Sequence, residues 1–173
     1  MEEQRAPSIA KIATKYGVIQ GVLSFLLVVV VAAVGMKQNW GSYISLVFLI
    51  VLMVLAHQAF KKTHDNMMTY PQGLGSGTLL SVVSAVVSSA LVFVYVKYVN
   101  TGYFAAAMKA QQAALEQRGI TGAQAQQAMA MTSAIMTPVG VVVFSVLIGV
   151  IAGFVVALIV SIFTQKGDPR TVR

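Results

Sequence analysis

Four side chains come nearest to a reactive cluster: His57, Lys61, His64 and Asp65 follow one another at helical spacing and share a face if this stretch is helical. Imidazoles beside a carboxylate are the materials of a metal site or a proton relay. The spacing argues against both, because histidines seven residues apart on one helix stand about 10 Å apart along its axis and Lys61 between them repels a cation. The set reads instead as a polar face at a membrane interface, with Asp65 answering Lys61 across one turn. Gly73, Gly75 and Gly77 look superficially like a phosphate loop. A dinucleotide fingerprint needs a preceding strand, and a P-loop needs Gly-Lys-Ser/Thr at its end; this stretch has neither, and its glycines read as turn formers. No Ser/His/Asp set is spaced for nucleophilic catalysis, and Asp65, Glu116 and Asp168 each stand apart from a second carboxylate. The chain has no cysteine, which removes thiolate chemistry, disulfides and thiolate metal sites. The expectation is a protein that is not an enzyme and uses no metal and no cofactor.

The elements around these residues explain the scarcity. Of 173 residues 57% are hydrophobic and only 10% charged, where a soluble domain carries about a quarter charged. The apolar residues fall in long runs, Val18–Gly35, Tyr43–Phe60, Leu79–Val96 and Val139–Phe163. Each approaches or exceeds the roughly 20 residues a helix needs to cross a bilayer. The predicted fold is an all-α, polytopic membrane protein: a single membrane domain of four transmembrane helices over residues 14–36, 43–62, 77–98 and 138–164, with an outer helical hairpin over 103–136. Pro7 and Ser8 mark the start of the first helix, and Thr137 and Pro138 fit the N-cap and first position of the last. The stretch from Tyr70 to Gly77 reads as a turn that the third helix follows. Arg5, Lys11 and Lys15 ahead of an apolar run resemble a signal peptide, but the run is longer than such a core and another span follows, so an uncleaved anchor is expected.

Orientation follows from the basic residues. Eight Lys and Arg (Arg5, Lys11, Lys15, Lys61, Lys62, Lys166, Arg170, Arg173) fall on one side of the predicted topology, against Lys37, Lys97, Lys109 and Arg118 on the other. The positive-inside rule then predicts cytoplasmic N- and C-termini in a cytoplasmic (inner) membrane. Trp40, Tyr43, Tyr95, Tyr98 and Tyr103 gather as an aromatic belt on the far side, and Tyr16 and Tyr70 mark the near one. The net charge of +7 is scattered over helix ends rather than gathered in a stripe, so lipid headgroups, not nucleic acid, are the expected anionic partner.

Between the third and fourth runs, residues 100–137 are rich in Ala, Gln and Met and read as two helices. The first ends at Gly119 as C′ residue; the second starts at Thr121 with Gln124 completing a capping box. Phe104, Met108 and Leu115 share the apolar face of the first and Ala125, Ala128, Met129, Thr132 and Met136 that of the second, and Met108, Leu115, Met129, Met131 and Met136 are the candidate partner surface. One reading makes that side a lid resting on the membrane; the other makes it an adaptable surface for a protein partner, since methionine repacks easily.

Helices in lipid associate through small residues and interhelical hydrogen bonds. Ser145, Gly149, Gly153, Ala157 and Ser161 form an i,i+4 row in the fourth run, and Gly77, Ser81, Ala85 and Ser89 form another in the third. These rows are expected to pack on each other or on a second copy. Gly17 and Gly21 repeat the spacing for one turn in the first run. No ionisable group sits near the centre of any run, which argues against a proton-coupled carrier.

The order of these features resembles the domain-of-unknown-function 4199 family of Bacteroidota inner-membrane proteins: Lys15-Tyr16-Gly17 opening the first span, a single Trp40 before the second, a Gly-rich approach to the third, the outer segment Leu115 to Gly119, and a Pro-led fourth span. The resemblance covers nearly the whole chain and implies a four-helix membrane fold without an assigned activity. The functional expectation is association, as an accessory or assembly subunit of a cell-envelope membrane complex or as a homo-oligomer. The alternative is a small oligomeric pore or carrier for a neutral or lipid-like solute.

Overall fold

A computed structural model describes residues 8–34, 38–135 and 137–166. They form six helices: α1 (Ile9–Val34), α2 (Gln38–Lys62), α3 (Tyr70–Tyr98), α4 (Tyr103–Gln117), α5 (Gly122–Ile135) and α6 (Pro138–Thr164). The all-helical class holds, and α1, α2, α3 and α6 are long and apolar enough to cross a membrane. Only 17% to 33% of the residues in each apolar stretch are buried within the chain, so most of that apolar surface faces outward, as it does in a helix bathed in lipid. The protein is a multi-pass membrane protein.

The chain divides into two compact units, one of residues 1–88 with 148–173 and one of residues 89–147. Within the first, neighbouring residues set the helix directions. A Cβ on Gly17 would lie 2.7 Å from the Leu80 carbonyl oxygen, and one on Gly21 would lie 2.8 Å from Val87 Cβ, so α1 and α3 run parallel. Pairings between α3 and α6 run the other way: Gly73 faces Ser161, Gly77 faces Ala157, and Gly149 faces Ala85. Gly77 also abuts Met53, and the His57 ring reaches the Gly73 carbonyl, which makes α2 antiparallel to α3. The start of α1, the end of α2, the start of α3 and the end of α6 therefore share one end of this unit. Its core is built from Ile12, Ala13, Met53, Ala56, Phe60, Met68, Leu80, Val156, Ala157 and Val160.

The stretch from Tyr70 to Gly77 departs from expectation. It is not a turn but the opening of α3. Thr69 N–H donates to Gln72 Oε1 at 2.9 Å, half of a capping box, and proline is tolerated in a first turn where its missing N–H has no partner to lose. Gly73 and Gly77 weaken the helix intrinsically, but they let α3 approach Ser161 and Ala157 closely, and that packing outweighs the local cost.

In the second unit α4 ends at a Schellman motif. Gly119 takes φ 70°, its N–H donates to the Glu116 carbonyl, and Ile120 N–H donates to the Leu115 carbonyl, each at 3.0 Å. The α5 start differs from the expected box: Gly122 at φ 64° opens the helix, and among the described residues no hydrogen bond joins Thr121 to Gln124. Thr137 does cap α6, its Oγ1 accepting from Gly140 N–H at 3.0 Å.

Candidate functional site

The polar residues of the first unit gather where α2, α3 and α6 meet. α2 carries His57 one and a half turns before its end, on the face that holds Met53, Ala56 and Phe60 in the core, and the ring is fully buried. A buried imidazole must satisfy both nitrogens. Nε2 lies 3.1 Å from the Gly73 carbonyl oxygen and Nδ1 lies 2.7 Å from Thr164 Oγ1. Since a carbonyl only accepts, Nε2 carries a proton. The Thr164 hydroxyl, which also lies 2.8 Å from the Val160 carbonyl, completes the pair in either of two ways: it donates to an unprotonated Nδ1, or it accepts from a protonated Nδ1 and donates to Val160. The first arrangement belongs to the neutral ring and the second to the imidazolium, so passing from one to the other takes a proton as well as a rotation of the hydroxyl.

Lys61 lies one turn further along α2, and its Nζ donates to the Thr164 carbonyl at 2.8 Å. A cation there covers one of the carbonyls that the end of α6 leaves unsatisfied. The proposed Lys61–Asp65 pairing is corrected by this contact. α2 ends at Lys62, and Asp65 and Asn66 turn the chain at φ 49° and 60°, so the helical i,i+4 relation stops short of Asp65. His64 lies one turn beyond Phe60, which shares the His57 face, but it engages Phe60 rather than His57. Its ring stacks on Phe60 at 4.0 Å, and its Nδ1 bonds the Phe60 carbonyl at 3.1 Å. The two histidines therefore point at different partners. Beyond them Met68 and Lys166 exchange backbone hydrogen bonds of 3.0 and 2.8 Å, tying the segment before α3 to the end of α6. The result is a clasp that fastens three helix ends, with the imidazole fully buried among them.

A second polar group joins α1 to α2. Gln20, 2% exposed, donates through Nε2 to Ser24 Oγ at 3.2 Å and to the Ser45 carbonyl at 3.3 Å, and the two serine hydroxyls lie 3.2 Å apart. Among the described residues Gln20 Oε1 has no partner, and neither do the buried hydroxyls of Ser76 and Ser161.

The small-residue rows are placed as follows. Ser81, Ala85 and Ser89 are buried on α3, and Gly153, Ala157 and Ser161 are buried on α6. A Cβ at Gly149 would meet Ala85 Cβ at 3.1 Å, and one at Gly153 would collide with the Ser81 side chain. Ser145 is exposed and bonds the carbonyls of Val141 and Val142 on its own helix. On the hairpin Leu115 is buried, Met108 and Met129 are half-buried and Met131 is 66% exposed; Met136 lies outside the described residues. Sequence reasoning found His57 and Lys61 but missed Thr164, whose only signal was a hydroxyl at the end of an apolar run. It also missed the Thr69–Gln72 box, which its Thr-x-x-Gln spacing does announce.

Comparison with known proteins returns a family model described as "Protein of unknown function (DUF4199)", which matches residues 15–166. No curated protein matches, and no solved structure matches.

Proposed function

Because the chain belongs to the DUF4199 family, which spans it almost completely and carries no assigned activity, we propose a role read from its surfaces: a non-enzymatic membrane protein that works by association. It serves as an accessory or assembly subunit of a cell-envelope membrane complex or as a homo-oligomer in the cytoplasmic membrane, with both ends of the chain on the cytoplasmic side. The observation that carries this reading is the α4–α5 hairpin. Its helices are short of a membrane span, its one buried side chain among the described residues is Leu115, and of its methionines Met108 and Met129 are partly exposed and Met131 is 66% exposed. Adaptable apolar side chains on a polar, Gln-rich hairpin suit a protein surface better than a lipid one. Photocrosslinking from Met129 and Met131 in cells tests it. Adducts to another protein or to a second copy support docking, and adducts confined to the same chain favour the lid and refute it.

One observation favours the second reading, a pore or carrier for a neutral or lipid-like solute. Gln20 Oε1, buried without a partner among the described residues, is a hydrogen-bond acceptor that an uncharged solute could use. Saturable flux of a neutral solute through reconstituted liposomes, lost in Gln20→Leu, would support it over association.

A further inference from the structure

We propose that the apolar groove between α2 and α6 in the first unit binds one acyl chain of an anionic phospholipid, and that Lys61 holds the lipid phosphate at its mouth. The groove has a volume of about 310 Å³ and is lined by Ile50 and Val54 from α2 and by Val156, Ile159, Val160 and Phe163 from α6, with Thr164 at one end. All of these residues belong to the membrane-spanning stretches, so the groove opens where lipid tails lie. From Val156 to Thr164 it follows α6 for about 12 Å, a length suited to an extended hydrocarbon chain. A helix of a second copy fits poorly. Close helix approach in lipid needs small residues, and here the small residues of α6 face α3 while the groove presents Ile, Val and Phe.

Charge selects the headgroup. Lys61 lies two turns beyond Val54 and three beyond Ile50, on the same stripe of α2 and therefore at the groove's Thr164 end. Its bond to the Thr164 carbonyl holds the ammonium there and uses one of its three donors, leaving two for a phosphate. Lys62 and Lys166 are exposed at the same end of the unit, as are Lys11 and Lys15 at the start of α1. Among the described residues Asp65 is the one carboxylate at that end. Apolar walls below and lysines above match a lipid with a net negative headgroup better than a zwitterionic one.

The test is native mass spectrometry of the full chain, purified in mild detergent and offered equal amounts of phosphatidylglycerol and phosphatidylcholine with identical tails. The expected result is one retained lipid, with phosphatidylglycerol preferred on the order of tenfold, the effect of one charge-assisted contact. Lys61→Gln should abolish the preference and Lys61→Arg should keep it. Val54→Phe, which fills the groove and leaves Lys61 in place, should lower retention of both lipids. Equal retention of the two lipids by the unaltered chain overturns the proposal, as does undiminished retention by Val54→Phe. Should Lys61→Gln fail to fold for want of its bond to Thr164, phosphatidylglycerol with a photoreactive tail decides the matter on the unaltered chain. Adducts on Val54, Val156 or Phe163 support the site, and adducts elsewhere, or a second copy crosslinked at these positions, refute it.

Discussion

His57 shows how far a single side chain can be understood from its neighbours along the chain. As a polar residue near the end of an apolar run it is conspicuous, and its distance from His64 argues against a shared ion. Its true partners lie 16 and 107 residues away, so no local rule reaches them. The same holds for Lys61, whose nearest carboxylate in sequence is Asp65 but whose bond goes to a carbonyl 103 residues distant. If the clasp fastens helix ends, its members should be energetically coupled. Thr164→Val, which removes one hydroxyl, is expected to cost about 1 kcal/mol, in line with interhelical hydrogen bonds in lipid. His57→Ala, which removes the ring's bonds to the Gly73 carbonyl and the Thr164 hydroxyl and opens a cavity, is expected to cost about 2–3 kcal/mol. The double variant should lose less than the sum, because both changes remove the same bond. Unfolding in mixed micelles measures all three, and strict additivity would show that the ring and the hydroxyl do not act together.

At the level of elements, the four long runs, the hairpin helices, the Gly119 terminus and the Thr137–Pro138 start were legible, because each rests on hydropathy or on cap chemistry written within a few residues. The opening of α3 was not. Glycine and proline side by side signal a turn, and only the presence of α6 alongside converts that signal into a reason for close packing. The glycines should accordingly divide by what faces them. A Cβ on Gly75 would meet nothing within 4 Å, so Gly75→Ala should stabilise α3 by about 0.5–1 kcal/mol. Gly153→Ala should destabilise by about 1–3 kcal/mol through its collision with Ser81, and adding Ser81→Gly should restore part of the loss. Gly149→Ala, 3.1 Å from Ala85 Cβ, should fall between the two. A thermal melt of each variant in the same detergent ranks them, and a Gly153→Ala protein as stable as Gly75→Ala would exclude α3–α6 contact at that level.

For the molecule as a whole, the number of spans and the distribution of lysine and arginine carry the proposed topology. Four crossings return the chain to the side from which it started, and residues between the third and fourth lie on the opposite side. The basic residues reinforce this, because the end of the first unit that collects the start of α1 and the end of α6 carries Lys11, Lys15, Lys61, Lys62 and Lys166, and moving such a cluster across a bilayer is strongly disfavoured. A chain without cysteine is a ready background for mapping this, since each introduced thiol is the only one present. Ser8→Cys, Thr63→Cys and Gln165→Cys replace exposed or half-buried residues near that end, and Gln126→Cys replaces an exposed residue of α5. With a membrane-impermeant maleimide applied to intact cells, Gln126→Cys should label and the other three should not; in inverted vesicles the pattern should reverse. Labelling of Thr63→Cys together with Gln126→Cys in intact cells would place the lysine-rich end outside and require the two sides to be exchanged. Protection of Gln126→Cys in both preparations would instead mean that α5 lies against lipid or other protein, the outcome expected of a lid or of an occupied docking surface, which the crosslinks from Met129 and Met131 tell apart.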